Sequence, residues 1–247
     1  MFDESRGVWT AAVTCASLLD ALLALAAVSS APSYVWPTIL TRGVDGVDGP
    51  VLHISSGRHP MLEQTMSEKG DGEYIPNSTK LGGSTIPNST KLGGSTENST
   101  ARQYSPRLLL LSGPNMGGKS TLLRQTCLIT ILAQIGCMVP AEECVLTPVD
   151  RIFTRVGASD KILAGQSTFF VELAETATVL RVATQDSLCI LDELGRGTAT
   201  HDGTAIAHAV VDRLVRTTRC RTLFATHYHS LVDEWGVDPR VHLGELS

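Results

Sequence analysis

The chain has 247 residues, room for one α/β domain with an appendage or for two small domains. Its 43% apolar content can fill a sizeable core, whereas 5% aromatics is too little for a surface on which bases stack. The net charge is −5, with 7 basic and 10 acidic groups in residues 1–106 and 13 and 15 in residues 107–247, so neither half is a body that binds nucleic acid by charge alone.

The first predicted element is a helix over residues 8–29, ended by Pro32 and Pro37, with Leu18, Leu19, Leu22, Leu23 and Leu25 at helical spacing. Asp3 and Glu4 precede it and Asp20 interrupts it, which argues against a secretory signal or a membrane span. A buried helix is expected. Residues 51–55 (VLHIS) read as a strand, followed by Gly57-Arg-His-Pro60. Ile75-Pro-Asn-Ser-Thr-Lys-Leu-Gly-Gly-Ser-Thr85 then recurs without change at Ile86–Thr96, and Asn98-Ser-Thr100 begins a partial third copy. Eleven residues with so few apolar positions are too short and too polar for a solenoid repeat, so a tandem expansion in a disordered surface loop at about 75–105 is expected. Asn77, Asn88 and Asn98 each head an Asn-Ser-Thr acceptor pattern, which without a secretory signal meets no glycosylation machinery.

From Leu108 the pattern becomes strand, glycine loop, helix, strand. Leu108–Leu111, Leu188–Leu191 and Thr222–Ala225 are continuous apolar runs, and residues 119–135 carry helical periodicity that stops at Gly136. Such an alternation predicts a mostly parallel sheet covered on both faces. The six cysteines form no Cys-x-x-Cys pair and no zinc spacing, and read as reduced core thiols.

Gly113-Pro-Asn-Met-Gly-Gly-Lys119-Ser120 fits the phosphate-loop pattern between a strand and a helix. Gly113, Gly117 and Gly118 let consecutive amides point at phosphate oxygens, and the helix beginning near Lys119 adds its positive end. Lys119 can reach the β- and γ-phosphates of a nucleotide and Ser120 can ligate magnesium; Pro114, Asn115, Met116 and Thr121 complete the loop. In Leu188-Cys-Ile-Leu-Asp192-Glu193, Asp192 ends a buried strand where it can hold magnesium, and Glu193 follows where it can act on an attacking water. Thr226-His227-Tyr228 follows the last apolar run, which sets His227 toward a γ-phosphate. His201, His208, His229 and His242 have no such context.

These stretches, with Arg151-Ile-Phe-Thr-Arg-Val-Gly-Ala-Ser-Asp160, Ser167-Thr-Phe-Phe-Val-Glu172, Asp192-Glu-Leu-Gly-Arg-Gly-Thr198 and Asp202-Gly203, resemble the ATPase domain of the MutS mismatch-repair family. The Phe169-Phe170 pair, the Cys220-Arg-Thr-Leu stretch and Tyr228-His-Ser-Leu231 are closest to the large-subunit branch of its eukaryotic heterodimers. The resemblance implies a P-loop NTPase of ABC type (α/β, a mostly parallel sheet flanked by helices), with ATP and Mg2+ bound. Residues 1–40 would end a core, or lever, region and residues 41–247 would form the ATPase domain.

The resemblance also implies roles that spacing alone does not. Ser167 would reach the nucleotide of a partner subunit, Asn115 would lie near the attacking water with Glu193 and His227, and Asp202 would sit in a loop crossing the dimer interface. Tyr74 would stack on adenine. The implied partners are a second MutS-family subunit, mismatched double-stranded DNA through domains outside this chain, and a MutL-type downstream factor. The implied location is the nucleus, away from membranes. The family's mismatch-reading, connector and clamp domains and its closing helix-turn-helix find no match here, so a carboxy-terminal portion or a truncated product is expected. One alternative is a nucleotide-binding remnant without turnover. Another branch of ABC ATPases is disfavoured, because the Leu-Ser-Gly-Gly-Gln signature is missing.

Overall fold

Apolar runs that cannot all face one layer become a sheet buried on both sides. A computed structural model describes residues 5–70, 72–83, 106–114, 117–156 and 168–245. In chain order these form α1 (Arg6–Ser29), β1 (Thr38–Ile39), β2 (Val51–Gly57), α2 (Pro60–Lys69), β3 (Asn77–Gly82), β4 (Leu108–Ser112), α3 (Lys119–Gln134) and β5 (Glu143–Leu146). Then follow β6 (Ile152–Arg155), α4 (Thr168–Val182), β7 (Leu188–Asp192), α5 (Thr200–Arg213) running into a π-helical turn (Leu214–Thr218), β8 (Arg221–Ala225), α6 (His229–Trp235) and β9 (Val241–Glu245).

The main sheet has the order β6-β7-β8-β4-β9 and every pairing in it is parallel. Side chains alternate between its faces. Leu109, Leu111, Ile190, Leu223 and Ala225 join a cluster with Leu122, Leu123 and Ile129 of α3. Leu108, Leu110, Cys189, Leu191 and Phe224 join a second cluster with Val210 and Val211 of α5 and with Leu231 and Trp235 of α6. The expected double-covered parallel sheet is thus the observed one. Its order sets the carboxyl ends of β7, β8 and β4 side by side, and these ends lead into the residues singled out for chemistry.

A second sheet, β1-β5-β2-β3, is mixed: β2 pairs antiparallel with both β3 and β5, and β1 runs parallel to β5. Its strand β1 lies before the boundary expected at residue 40 and pairs with β5 beyond it. Arg221, at the start of β8 and fully buried, ties the two sheets by donating to the carbonyls of Val51, Thr147 and Pro148.

Two expectations need correction. The leading helix forms, as α1, but none of its residues is buried; Trp9, Val13, Leu18, Leu22 and Leu23 are all exposed. It is long and apolar enough by length and composition to cross a membrane. Apolar periodicity registers a helix's tendency to seek cover without specifying the covering surface, and in this structure only Leu25 and Ser29 are half-buried. The disordered loop expected from residue 75 is the other correction. The first copy of the repeat forms β3, with Thr79 and Leu81 buried and paired against Ile54 and Leu52. Its polar composition hides a period-two pattern in which the Thr79 hydroxyl lies 3.3 Å from that of Thr126. The second copy and residues 97–105 lie outside the described residues.

Deleting Ile86–Thr96 leaves the same eleven residues in place for β3, because the copies are identical. If the remainder of the repeat is the surface loop its sequence predicts, halving it changes closure entropy by only about 0.6 kcal/mol, so the melting temperature and nucleotide affinity should stay nearly unchanged. Thermal unfolding of the deletion variant checks this, and a fall of many degrees would count against it.

Candidate active site

The loop between β4 and α3 owes its shape to glycine. Gly113 and Gly118 adopt φ of 146° and 85°, values a side chain would strain. Gly117 N–H closes a turn on Pro114 O at 3.1 Å, and α3 then starts at Lys119 with its first amides turned to the loop. The Lys119 side chain is 6% exposed, and its Nζ donates to the carbonyls of Gly113 at 2.5 Å and Pro114 at 2.8 Å. The ammonium is thereby held inside the loop, where a phosphate would be a stronger, charged partner than two carbonyls. Thr121 is half-buried in the first turn. Asn115 and Met116 lie outside the described residues, as does Ser167, one residue before α4 begins.

Ser120 and Asp192 meet across the sheet's end, with Ser120 Oγ donating to Asp192 Oδ2 at 2.7 Å. Asp192 Oδ1 is buried and accepts no hydrogen bond. Burial pushes the Asp192 carboxyl above its usual range, and Glu193 adds to this, while the Ser120 bond and Lys119 pull it down. A hydroxyl beside a carboxylate with one oxygen to spare is a donor set that fits magnesium, a hard cation that takes one or two carboxylates and completes its shell with phosphate and water. Among the described residues no group of three or more His, Cys, Asp or Glu side chains forms a cage for a metal by itself.

Glu193 has φ +51°, the left-handed region that a side chain enters at a cost of about 1–2 kcal/mol. Its N–H donates to Ala225 O at 3.0 Å, one step beyond the β7–β8 ladder, so the chain must turn sharply there. Its Oε2 lies 2.5 Å from Arg196 Nη1. His227 follows β8 and is exposed, its ring 4.2 Å from that of Tyr228. Asp202 is exposed in the first turn of α5. Tyr74 is half-buried and donates its hydroxyl to Gln125 Oε1 of α3 at 2.8 Å, and burial raises its pKa.

The structure therefore brings together the glycine loop, Lys119, Ser120, Asp192 and Glu193, with His227 on the neighbouring strand end. Two residues near this cluster escaped the sequence reading: Glu172, which accepts from Gly195 N–H, and Tyr228, whose hydroxyl donates to Gly195 O. Both were inside motifs already quoted, but their partner is a backbone group, which leaves no mark in residue type.

The model of one protein family, MutS domain V, matches residues 109–244. Over its whole length the chain is 48% identical to the human DNA mismatch repair protein Msh6, of which it covers 17%. Over 98% of its length it is 48% identical to MSH7 of Arabidopsis thaliana, covering 21% of that protein. Over 89% of its length it is 49% identical to MSH3 of Chaetomium globosum, covering 17%. The chain thus spans about a fifth or less of the length of these relatives.

Proposed function

The chain belongs to the MutS family, and from that premise we propose that it binds ATP with Mg2+ and hydrolyses it as the motor of a mismatch-repair assembly. The observation that carries this reading is the Ser120–Asp192 contact of 2.7 Å with Asp192 Oδ1 left over, beside a lysine seated in a glycine loop. Lys119 and the amides of the loop bind the β- and γ-phosphates. Ser120 and Asp192 hold Mg2+, which when bound neutralises charge on those phosphates. Glu193 accepts the proton of the attacking water, and His227 and Asn115 help to orient the γ-phosphate and that water. Tyr74 offers its ring to adenine.

In this reading the site is completed by a second MutS-family subunit: Ser167 contacts the nucleotide of that partner, and Asp202 lies at the shared interface. Nucleotide state is coupled to mismatched DNA and to a MutL-type factor through parts of the protein outside this chain, in the nucleus. Residues 1–40 belong to the core region and the rest to the ATPase domain.

Nucleotide titration with and without Mg2+, followed by turnover with and without a second subunit, tests the proposal. The chain alone should bind Mg2+-ATP yet hydrolyse it slowly, because transition-state charge is fully stabilised only in the closed dimer. Ser167→Ala should leave the chain's own affinity intact and slow the partner's site by about a hundredfold. Assigning turnover to each site, with the other disabled, checks this. A slowed site on the chain itself, or full-rate hydrolysis by the lone chain, would refute the shared-site reading.

A further inference from the structure

Glu193 must hold a carboxylate within hydrogen-bond reach of a water, and its own backbone is in a strained conformation. The turn that carries it is gripped two residues later. Glu172, in the second turn of α4 and 6% exposed, accepts the N–H of Gly195 on Oε1 at 2.5 Å. Tyr228, 5% exposed, donates its hydroxyl to the carbonyl of the same residue at 2.9 Å. Both polar groups of Gly195 are thus taken by side chains from two different elements. The fit has no slack. A Cβ on Gly195 would come within 2.8 Å of Gly203 Cα, and a Cβ on Gly203 would collide with the Tyr228 hydroxyl. Glu172 is itself steadied, its Oε2 lying 4.0 Å from Arg155 Nη2, and Arg155 also faces Glu175 at 3.4 Å.

We propose that Glu172 and Tyr228 are positioning residues for Glu193, clamping Gly195 so that the turn from β7 presents the carboxylate at one fixed place. The proposal rests on the reading of Glu193 as the general base. Two features separate it from plain core packing. The Tyr228 hydroxyl is spent on the backbone two residues from Glu193. The clamp also joins the elements that border the site, since α4 begins beside Ser167 and Tyr228 follows His227. A displacement of about 1 Å at a reacting group costs on the order of a hundredfold in rate while hardly touching ground-state binding. Loss of the clamp should therefore fall on kcat.

The test uses the chain with a second MutS-family subunit whose own hydrolysis is disabled, and reads kcat, KM for ATP, nucleotide affinity and hydrogen exchange of the 193–196 amides. Tyr228→Phe, which removes one oxygen, should lower kcat at least about tenfold, with KM and affinity within about twofold and the 193–196 amides exchanging faster. Glu172→Ala should do the same, and Glu172→Gln, which keeps an oxygen to accept Gly195 N–H, should restore kcat. If Glu172→Ala fails to fold, Tyr228→Phe carries the test alone. Unchanged kcat in Tyr228→Phe overturns the proposal, as does a loss of affinity parallel to that of kcat. Glu193→Gln separates the two levels: if it hydrolyses normally, the general-base reading falls and takes the clamp with it. If it is inactive while Tyr228→Phe is normal, the clamp alone falls.

Discussion

Lys119→Ala should lose ATP binding, whereas Glu193→Gln should keep it and lose hydrolysis. In the proposed mechanism the two side chains meet the nucleotide at different stages of the reaction. Lys119 is buried in the phosphate loop, with its ammonium on the carbonyls of Gly113 and Pro114, and in that mechanism phosphates of the ground state would replace those partners. Removing the cation takes away a charge-assisted contact that exists before any bond breaks. Glu193 lies beyond the end of β7; in the proposed mechanism it acts on water only as the γ-phosphate bond begins to break. Losing one contact of that kind costs about 3 kcal/mol, on the order of a hundredfold in kcat, with affinity preserved. Titration of both variants with Mg2+-ATP, followed by single-turnover hydrolysis, gives the comparison. An equal loss of affinity in the two would sink the assignment of roles.

Arg221→Ala should be the most damaging single change to stability. The guanidinium is fully buried, and burial pushes it down to about 10, which still leaves it charged near neutrality. Its Nη1 donates to Thr147 O at 2.7 Å, to Val51 O at 3.1 Å and to Thr147 Oγ1 at 3.1 Å. Its Nη2 donates to Pro148 O at 3.0 Å and also to Asp186 O. These carbonyls sit on the second sheet and on the loop before β7, so one side chain holds three segments to the main sheet. Alanine would take this donor from the carbonyls of Thr147, Pro148 and Asp186, while Val51 O would keep the Thr147 N–H at 3.0 Å, and the cavity would add to that cost. Breaking such a buried charged cluster costs about 3–5 kcal/mol, a fall of roughly 10 °C in melting temperature for a chain of this size. Thermal unfolding measures it directly, and a shift of a degree or two would show that water replaces the guanidinium. Arg221→Lys should recover only part of the loss, because an ammonium lacks the two-pronged geometry.

How much was legible in the sequence depended on where each element's partners lie. Strands β4, β7 and β8 are buried on both faces, so their signal is an unbroken apolar run that needs no knowledge of neighbours. Lys119, Ser120 and Asp192 were legible because the glycine loop has a fixed spacing and the carboxylate closes a run of that kind. The second sheet was mostly missed. β1 is two residues long, β5 is four, and β3 reads Asn-Ser-Thr-Lys-Leu-Gly, in which Thr79 counts as an inward residue only because Thr126 stands opposite. Exact repetition also points away from structure there, since it suggests loop expansion, whereas six residues of the first copy form a strand. The clamp on Gly195 was illegible for a different reason. Its bonds end on backbone atoms, and backbone atoms are the same at every residue.

Helix α1 is rooted at its carboxyl end. Met138 N–H donates to Ser29 Oγ at 3.1 Å, and the Ser29 hydroxyl lies 3.3 Å from Cys137 Sγ. Those two residues come three and four positions after the end of α3, whose other end is the phosphate loop. With a rise of 1.5 Å per residue, α3 is a strut about 24 Å long and α1 a rod about 36 Å long. A tilt of about 10° at the Ser29 root would carry the far end of α1 through roughly 6 Å, by the same rise per residue. The same tilt moves atoms near the root by only a fraction of that. Shifts too small to alter the packing of the parallel sheet would thus become displacements the size of a side chain at Arg6: the exposed length of α1 multiplies any motion at its Ser29 root.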